Sequence, residues 1–120
     1  MPYALVIEDN REMANYIGRM LKFFGVDSEV TYGPLREKLE FSRIPDVIFL
    51  DIHMPGMDGF DILEYIRRYP NFDRVPVIII TSDDQPETAS KARDTGALAL
   101  IIKPLTMETL EAHLKTLGLI

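Results

Sequence analysis

Four stretches of this chain are apolar almost without interruption, and each ends on a polar side chain. Tyr3-Ala4-Leu5-Val6-Ile7 ends at Glu8-Asp9, Val47-Ile48-Phe49-Leu50 at Asp51, Val75-Pro76-Val77-Ile78-Ile79-Ile80 at Thr81, and Ala97 to Ile102 at Lys103. A strand wetted on one face alternates apolar and polar residues. A run without alternation is covered on both faces, which for a single sheet means parallel strands between two layers of helices.

The intervening segments supply helices of the required kind. In Arg11 to Phe24, Met13, Ile17, Met20, Leu21 and Phe24 recur at spacings of three and four, with Asn10 as a cap and Gly25 as a stop. Val26, Ser28, Val30 and Tyr32 alternate with polar residues, as an outer strand would. Gly33-Pro34 opens a short helix with Leu35 and Leu39 inward, and Pro45 closes the approach to the next strand. Met54-Pro55-Gly56-Met57 carries Pro and Gly where a type II turn needs them. Asp58 with Asp61 resembles a capping arrangement for a helix that ends at Tyr69-Pro70 and faces the sheet through Phe60, Leu63 and Ile66, or through Ile62 and Ile66. Pro86 starts a helix through about Thr95, stopped by Gly96, that offers the core little beyond Ala89 and Ala92, so it is the element expected to shift most easily. Thr106 precedes a closing helix over Thr109 to Leu117, with Leu110, Leu114 and Leu117 inward. The expected architecture is α/β: five strands alternating with five helices in a three-layer sandwich, one domain over residues 1–120.

Composition narrows the function. With no cysteine there is no disulfide framework, thiolate zinc site or redox couple. A net charge of −6 argues against direct nucleic-acid binding or an anionic membrane surface. No apolar run approaches the roughly 18 residues of a membrane span. Met1-Pro2-Tyr3 leads directly into a strand without room for a signal peptide, so a cytoplasmic location is expected.

Parallel strands present their carboxyl ends to one edge, so Glu8, Asp9, Asp51, Thr81 and Lys103 are expected to converge although the sequence scatters them. Three crowded carboxylates repel unless a cation sits between them or a pKa rises. Oxygen-only ligands suit Mg2+ better than zinc. With Lys103 and Thr81 opposite as a positive charge and a hydroxyl donor, the pocket is expected to hold a phosphoryl group.

These residues in this order, with Met54-Pro55-Gly56-Met57-Asp58-Gly59 after Asp51 and Pro104 after Lys103, make the chain resemble a response-regulator receiver domain of two-component signalling over residues 3 to 117. The resemblance implies a flavodoxin-like fold with sheet order 2-1-3-4-5. It also implies that Asp51 takes a phosphoryl group from a histidine kinase or histidine phosphotransfer protein, self-catalysed and followed by hydrolysis, so that the chain is not a turnover enzyme on an external substrate. Asp9 would ligate Mg2+ directly, Glu8 through water, and His53 through its backbone carbonyl. Lys103 and Thr81 would bind the phosphoryl oxygens, and the Lys103–Pro104 peptide would be cis. Signalling would pass to a downstream target of unknown identity, or to a homodimer, through the face of the last strand and the last two helices.

Two departures stand out. Leu100 occupies a place where receivers usually carry Tyr or Phe, an aromatic that swings inward on phosphorylation, and Ser82 stands where Ala is common. His53 and Asp83 flank the expected water entrance. As ordinary residues, Lys103 would be a solvated lysine, Thr81 a cap, His113 a solvated side chain, and Arg67-Arg68 cations complementing a helix C-terminus. Two rival functions follow. A scaffold that binds partners without phosphorylation draws only on Leu100. A flavodoxin-like cofactor binder needs a hydroxyl- or glycine-rich loop after the first strand, where this chain has Glu8-Asp9-Asn10-Arg11.

Overall fold

The computed structural model describes residues 2–31, 43–54 and 56–120, with Met57 described by its backbone alone. The four apolar runs become strands β1 (Tyr3–Ile7), β3 (Val47–Asp51), β6 (Val77–Thr81) and β7 (Ala99–Ile102), and Asp27–Thr31 forms β2. All five pair in parallel in the order β2-β1-β3-β6-β7. Counted among themselves, the sheet strands therefore follow the expected 2-1-3-4-5. Two strands begin later than their apolar runs. Val75 N–H bonds back to Phe72 O in a turn, and Pro76 has no N–H to give. Ala97 N–H is engaged by Ala92 O at the end of the preceding helix.

Four helices lie among the described residues: α1 (Arg11–Phe23), α2 (Gly59–Arg68), α3 (Pro86–Thr95) and α4 (Met107–Thr116). The short helix expected to open at Gly33-Pro34, like Tyr32 and Pro55, lies outside the described residues. Asn10 and Thr106 cap α1 and α4 by accepting N–H bonds from Met13 and Thr109, and Asp58 caps α2 through Phe60 N–H.

Each central strand buries both faces. Leu5, Ile48, Leu50 and Ile79 pack with Ile62, Leu63 and Ile66 of α2, while Val6, Phe49, Ile78 and Ile80 pack with Ile17 and Leu21 of α1 and Leu110 and Leu114 of α4. At about 1.5–3 kcal/mol for each fully buried aliphatic side chain, these two layers dominate the stability. Helix α3 buries only Ala92, so its anchorage is weak by comparison.

One new pair of strands appears between β3 and α2: His53–Met54 (β4) and Met57–Asp58 (β5) form an antiparallel hairpin. Gly56 in its turn has φ 75°, the left-handed position that the expected turn demands.

Arg67 does more than complement a helix dipole. Its guanidinium donates to Gly96 O from Nε (3.0 Å) and Nη2 (2.8 Å), and from Nη1 to Val75 O at 2.7 Å and to Phe72 O and Asp73 O at 3.3 Å. It ties the end of α2 to the entry of β6 and the loop before β7. Arg67→Met is expected to cost about 2–4 kcal/mol, because partly buried carbonyls lose charged donors. The loss would be read from the urea midpoint; a change under about 0.5 kcal/mol, the range of an ordinary surface site, would show the clamp to be dispensable.

Candidate functional site

The carboxyl ends of β1, β3 and β6 and the residue after β7 line up as the parallel sheet requires. Glu8 follows β1 and is buried, its Oε2 accepting Asn10 N–H at 3.3 Å. Asp51 ends β3, 7% exposed, with Oδ1 accepting His53 N–H at 2.9 Å. That local bond aims its other oxygen at Lys103, whose Nζ stands 3.5 Å from Asp51 Oδ2 and 3.6 Å from Glu8 Oε1. Lys103 is held in turn by its own N–H, which bonds to Thr81 O at 2.7 Å, and the Lys103–Pro104 peptide is cis. Asp9 is exposed at the rim. A cavity of about 460 Å3 opens over these groups, lined on its far side by Glu12, Met13 and Tyr16 of α1.

Electrostatically the site is short of positive charge. Burial, then a hydrogen bond with Asp51 and the charge of Asp51, push the Glu8 carboxyl up from 4.5 to about 7 against the opposing pull of Lys103. One carboxylate oxygen from each of Glu8, Asp9 and Asp51 lies within 4.8 Å of the others, a spacing close to the roughly 4 Å between opposite oxygens around a small divalent cation. The donor set is all oxygen, and a cation there would relieve the repulsion that raises Glu8. The residues fit a hard divalent ion.

The structure does not bring every expected residue to the cavity wall. Thr81 is fully buried, and its Oγ1 accepts Asp83 N–H at 3.1 Å, which leaves the hydroxyl proton free to donate. The side chain stands at the end of β6 beside the acids but does not line the cavity. The His53 imidazole turns away from the acids to Asp83, with Nε2 3.4 Å from Oδ2. Asp83 also accepts Gln85 N–H (2.9 Å) and the Thr88 hydroxyl (2.7 Å), and these bonds hold its carboxyl below the usual range. Asp83 is thus part of the start of α3, a link that sequence spacing did not reveal. Glu12, Met13 and Tyr16 were missed as cavity residues, although their position one turn beyond Asp9 on α1 was the available signal. Leu100 is half-buried beside Ala92 and Ala97, and with them lines a second cavity of about 230 Å3 between α3 and β7; Leu98 is 57% exposed nearby. His113 bonds through Nδ1 to Thr109 O on its own helix, and none of the described helices is long and apolar enough to cross a membrane.

Comparison with known proteins covers most of the chain. The sequence model of the response regulator receiver domain matches residues 4–115. Transcriptional regulatory protein TctD of Salmonella typhimurium is 33% identical over 115 residues, covering 94% of this chain and 50% of that protein. Chemotaxis protein CheY-3 of Vibrio cholerae is 30% identical over 116 residues, covering 92% of this chain and 86% of the relative. Hybrid signal transduction histidine kinase D of Dictyostelium discoideum matches at 33% identity over 97% of this chain, which spans only 8% of that kinase. The chain therefore spans half or less of the length of two of these three relatives. The solved structure of Vibrio cholerae chemotaxis protein CheY4 superimposes with a TM-score of 0.87 at 25% identity over 98% of both chains.

Proposed function

The chain belongs to the response regulator receiver family, and from that membership we propose that Asp51 accepts a phosphoryl group from a phosphohistidine of a histidine kinase or histidine phosphotransfer protein. The observation that carries this reading is the Lys103 ammonium standing 3.5 Å from Asp51 and 3.6 Å from Glu8 over a three-acid pocket. A carboxylate oxygen of Asp51 attacks phosphorus, the P–N bond breaks, and its electron pair stays with the departing imidazole nitrogen. Lys103 neutralises the phosphoryl oxygens, and the free proton of Thr81 is donated to one of them once the turn at Asp83 yields. Asp9 and Asp51 would hold Mg2+, with Glu8 acting through water and the His53 carbonyl completing the protein ligands, and the ion would supply positive charge to offset that of the transferred group. Water later attacks phosphorus and releases the Asp51 carboxylate, so the reaction is self-catalysed and turns over no external substrate.

Output passes through β7 with α3 and α4, where Leu98 (57% exposed) and Ile102 (40% exposed) present apolar surface to a target protein or a second copy. Because Leu100 carries no ring, this face responds through the displacement of weakly anchored α3. The test is incubation with acetyl phosphate and Mg2+ followed by intact mass. One added phosphoryl group, lost when a chelator is present, is the expected result. No label from acetyl phosphate or from a kinase would favour a scaffold that binds without phosphorylation.

A further inference from the structure

Helix α3 is held very differently at its two ends. At its carboxyl end the chain turns through Gly96, whose φ of 117° is left-handed and whose carbonyl accepts both Nε (3.0 Å) and Nη2 (2.8 Å) of Arg67. The same guanidinium donates to Val75 O at 2.7 Å, and Leu98 N–H bonds to Val77 O at 2.9 Å, so this end is fastened to the entries of β6 and β7. A β-carbon at Gly96 would stand 3.0 Å from Arg67 Nε, which shows how closely the two residues are set. The amino end hangs on Asp83. Its carboxylate accepts Gln85 N–H (2.9 Å) and the Thr88 hydroxyl (2.7 Å) and meets the exposed His53 ring at 3.4 Å, while its own N–H bonds to Thr81 Oγ1 at 3.1 Å. Between the ends α3 buries only Ala92, and Lys91 Nζ lies 4.5 Å from the centre of the Phe60 ring on α2. The cavity of about 230 Å3 lies on the β7 side, with Ala89 and Ala92 facing Leu98 and Leu100 across it.

Resting on the phosphoacceptor reading, we propose that Arg67 and Gly96 form a pivot, so that phosphorylation swings α3 about its carboxyl end and carries its amino-terminal half toward Leu100. A Thr81 hydroxyl that turns to a phosphoryl oxygen gives up Asp83 N–H, the bond through which the start of α3 is tied to the end of β6. That bond joins two neutral groups. The two bonds at Gly96 O come from a cation and are the stronger tether, so the helix rotates instead of lifting away. The two alanines leave room on the β7 side, and closing that room buries apolar surface against Leu100. The 10 residues of α3 rise about 15 Å, so a rotation of about 15° at Gly96 moves the first turn by about 4 Å and the last by under about 1 Å. Arg67 is thus a positioning residue for the output face, far from the phosphoryl group.

The chain has no cysteine, so introduced thiols carry spin labels without background. Glu87→Cys at the start of α3 and Asp94→Cys near its end are each combined with Lys115→Cys on α4, all three at exposed positions. Distances between labels are measured by pulsed electron paramagnetic resonance before and after acetyl phosphate and Mg2+, with intact mass reporting the phosphorylated fraction. With Arg67 intact, the distance from position 87 is expected to change by about 4 Å and that from position 94 by under about 1 Å. In Arg67→Met both are expected to change, because the carboxyl end is no longer tethered. Equal displacement at the two ends with Arg67 intact, or none at either in phosphorylated protein, would overturn the pivot. So would a position 94 that stays fixed in folded Arg67→Met, and if that variant does not fold, the comparison of the two ends with Arg67 intact decides alone. Protein that gains no phosphoryl mass would overturn the phosphoacceptor reading itself, and the pivot with it.

Discussion

Asp51→Asn is expected to abolish phosphoryl labelling from every donor while leaving the metal-free fold at least as stable as the wild type. Asparagine keeps the side-chain oxygen that accepts His53 N–H, so the loop geometry after β3 survives. What disappears is the carboxylate proposed as the nucleophile, and with it one of two acids facing a single ammonium. In the wild type the Glu8 carboxyl is raised from 4.5 to about 7, partly by Asp51, so between those values the folded chain holds a proton that the unfolded chain has released. Stability from this group is therefore lost as pH rises from about 4.5 to about 7 and is level above that. Removing the Asp51 charge lets Lys103 hold Glu8 ionised at lower pH and flattens the slope. Denaturant midpoints in chelator on both sides of this window, beside intact-mass labelling, measure both effects. A variant that lost its label together with its stability would point to a damaged fold instead of a missing nucleophile.

The edge of the sheet was legible because of how parallel strands work. Glu8, Asp51, Thr81 and Lys103 are far apart in sequence, but each follows or ends an apolar run, and parallel pairing turns that pattern into spatial proximity. The apolar runs also foretold the two-sided burial of β1, β3 and β6. Other features left no such trace. Arg67 meets backbone carbonyls, one of them Gly96 O 29 residues away, and a carbonyl has no identity in a sequence. The β4–β5 hairpin is two residues to a strand, too short for any periodicity to register. For Thr81 the residue type signalled a hydroxyl at the site, while its retreat from the cavity depends on Asp83 N–H, a bond set by the path of the turn. The α1 wall of Glu12, Met13 and Tyr16 was hidden by the stronger apolar stripe around it. Of those three only Met13 belonged to that stripe, and the helix reading assigned it inward.

Gly59→Ala is the substitution expected to damage the fold most for the least chemistry. Gly59 opens α2 against the loop that follows Asp51, and its N–H reaches Ile52 O at 3.3 Å. A methyl group there would overlap Ile52 Cα and stand 2.6 Å from its Cβ and 2.7 Å from its Cγ2. Ile52 is buried, with its side chain in the core beside Ile62 and Leu63, so it has nowhere to turn. Either α2 lifts off the sheet or the Asp51–Met54 segment moves, and the expected cost is about 3 kcal/mol or more, at the upper end of core overpacking. The second route also shifts Asp51 relative to Lys103, so phosphoryl transfer should fall beyond what partial unfolding accounts for. Gly18→Ala supplies the contrast within the same molecule. It adds the same methyl in the middle of α1, where the nearest neighbour is Ser28 Oγ at 3.4 Å, and it is expected to stabilise by about 0.5–1 kcal/mol through helix propensity. Urea midpoints of the two variants should thus move in opposite directions. If both rose, the junction between α2 and the Asp51 loop would have slack that close contact at Ile52 denies, and the loop would not be the rigid mount on which the position of Asp51 depends.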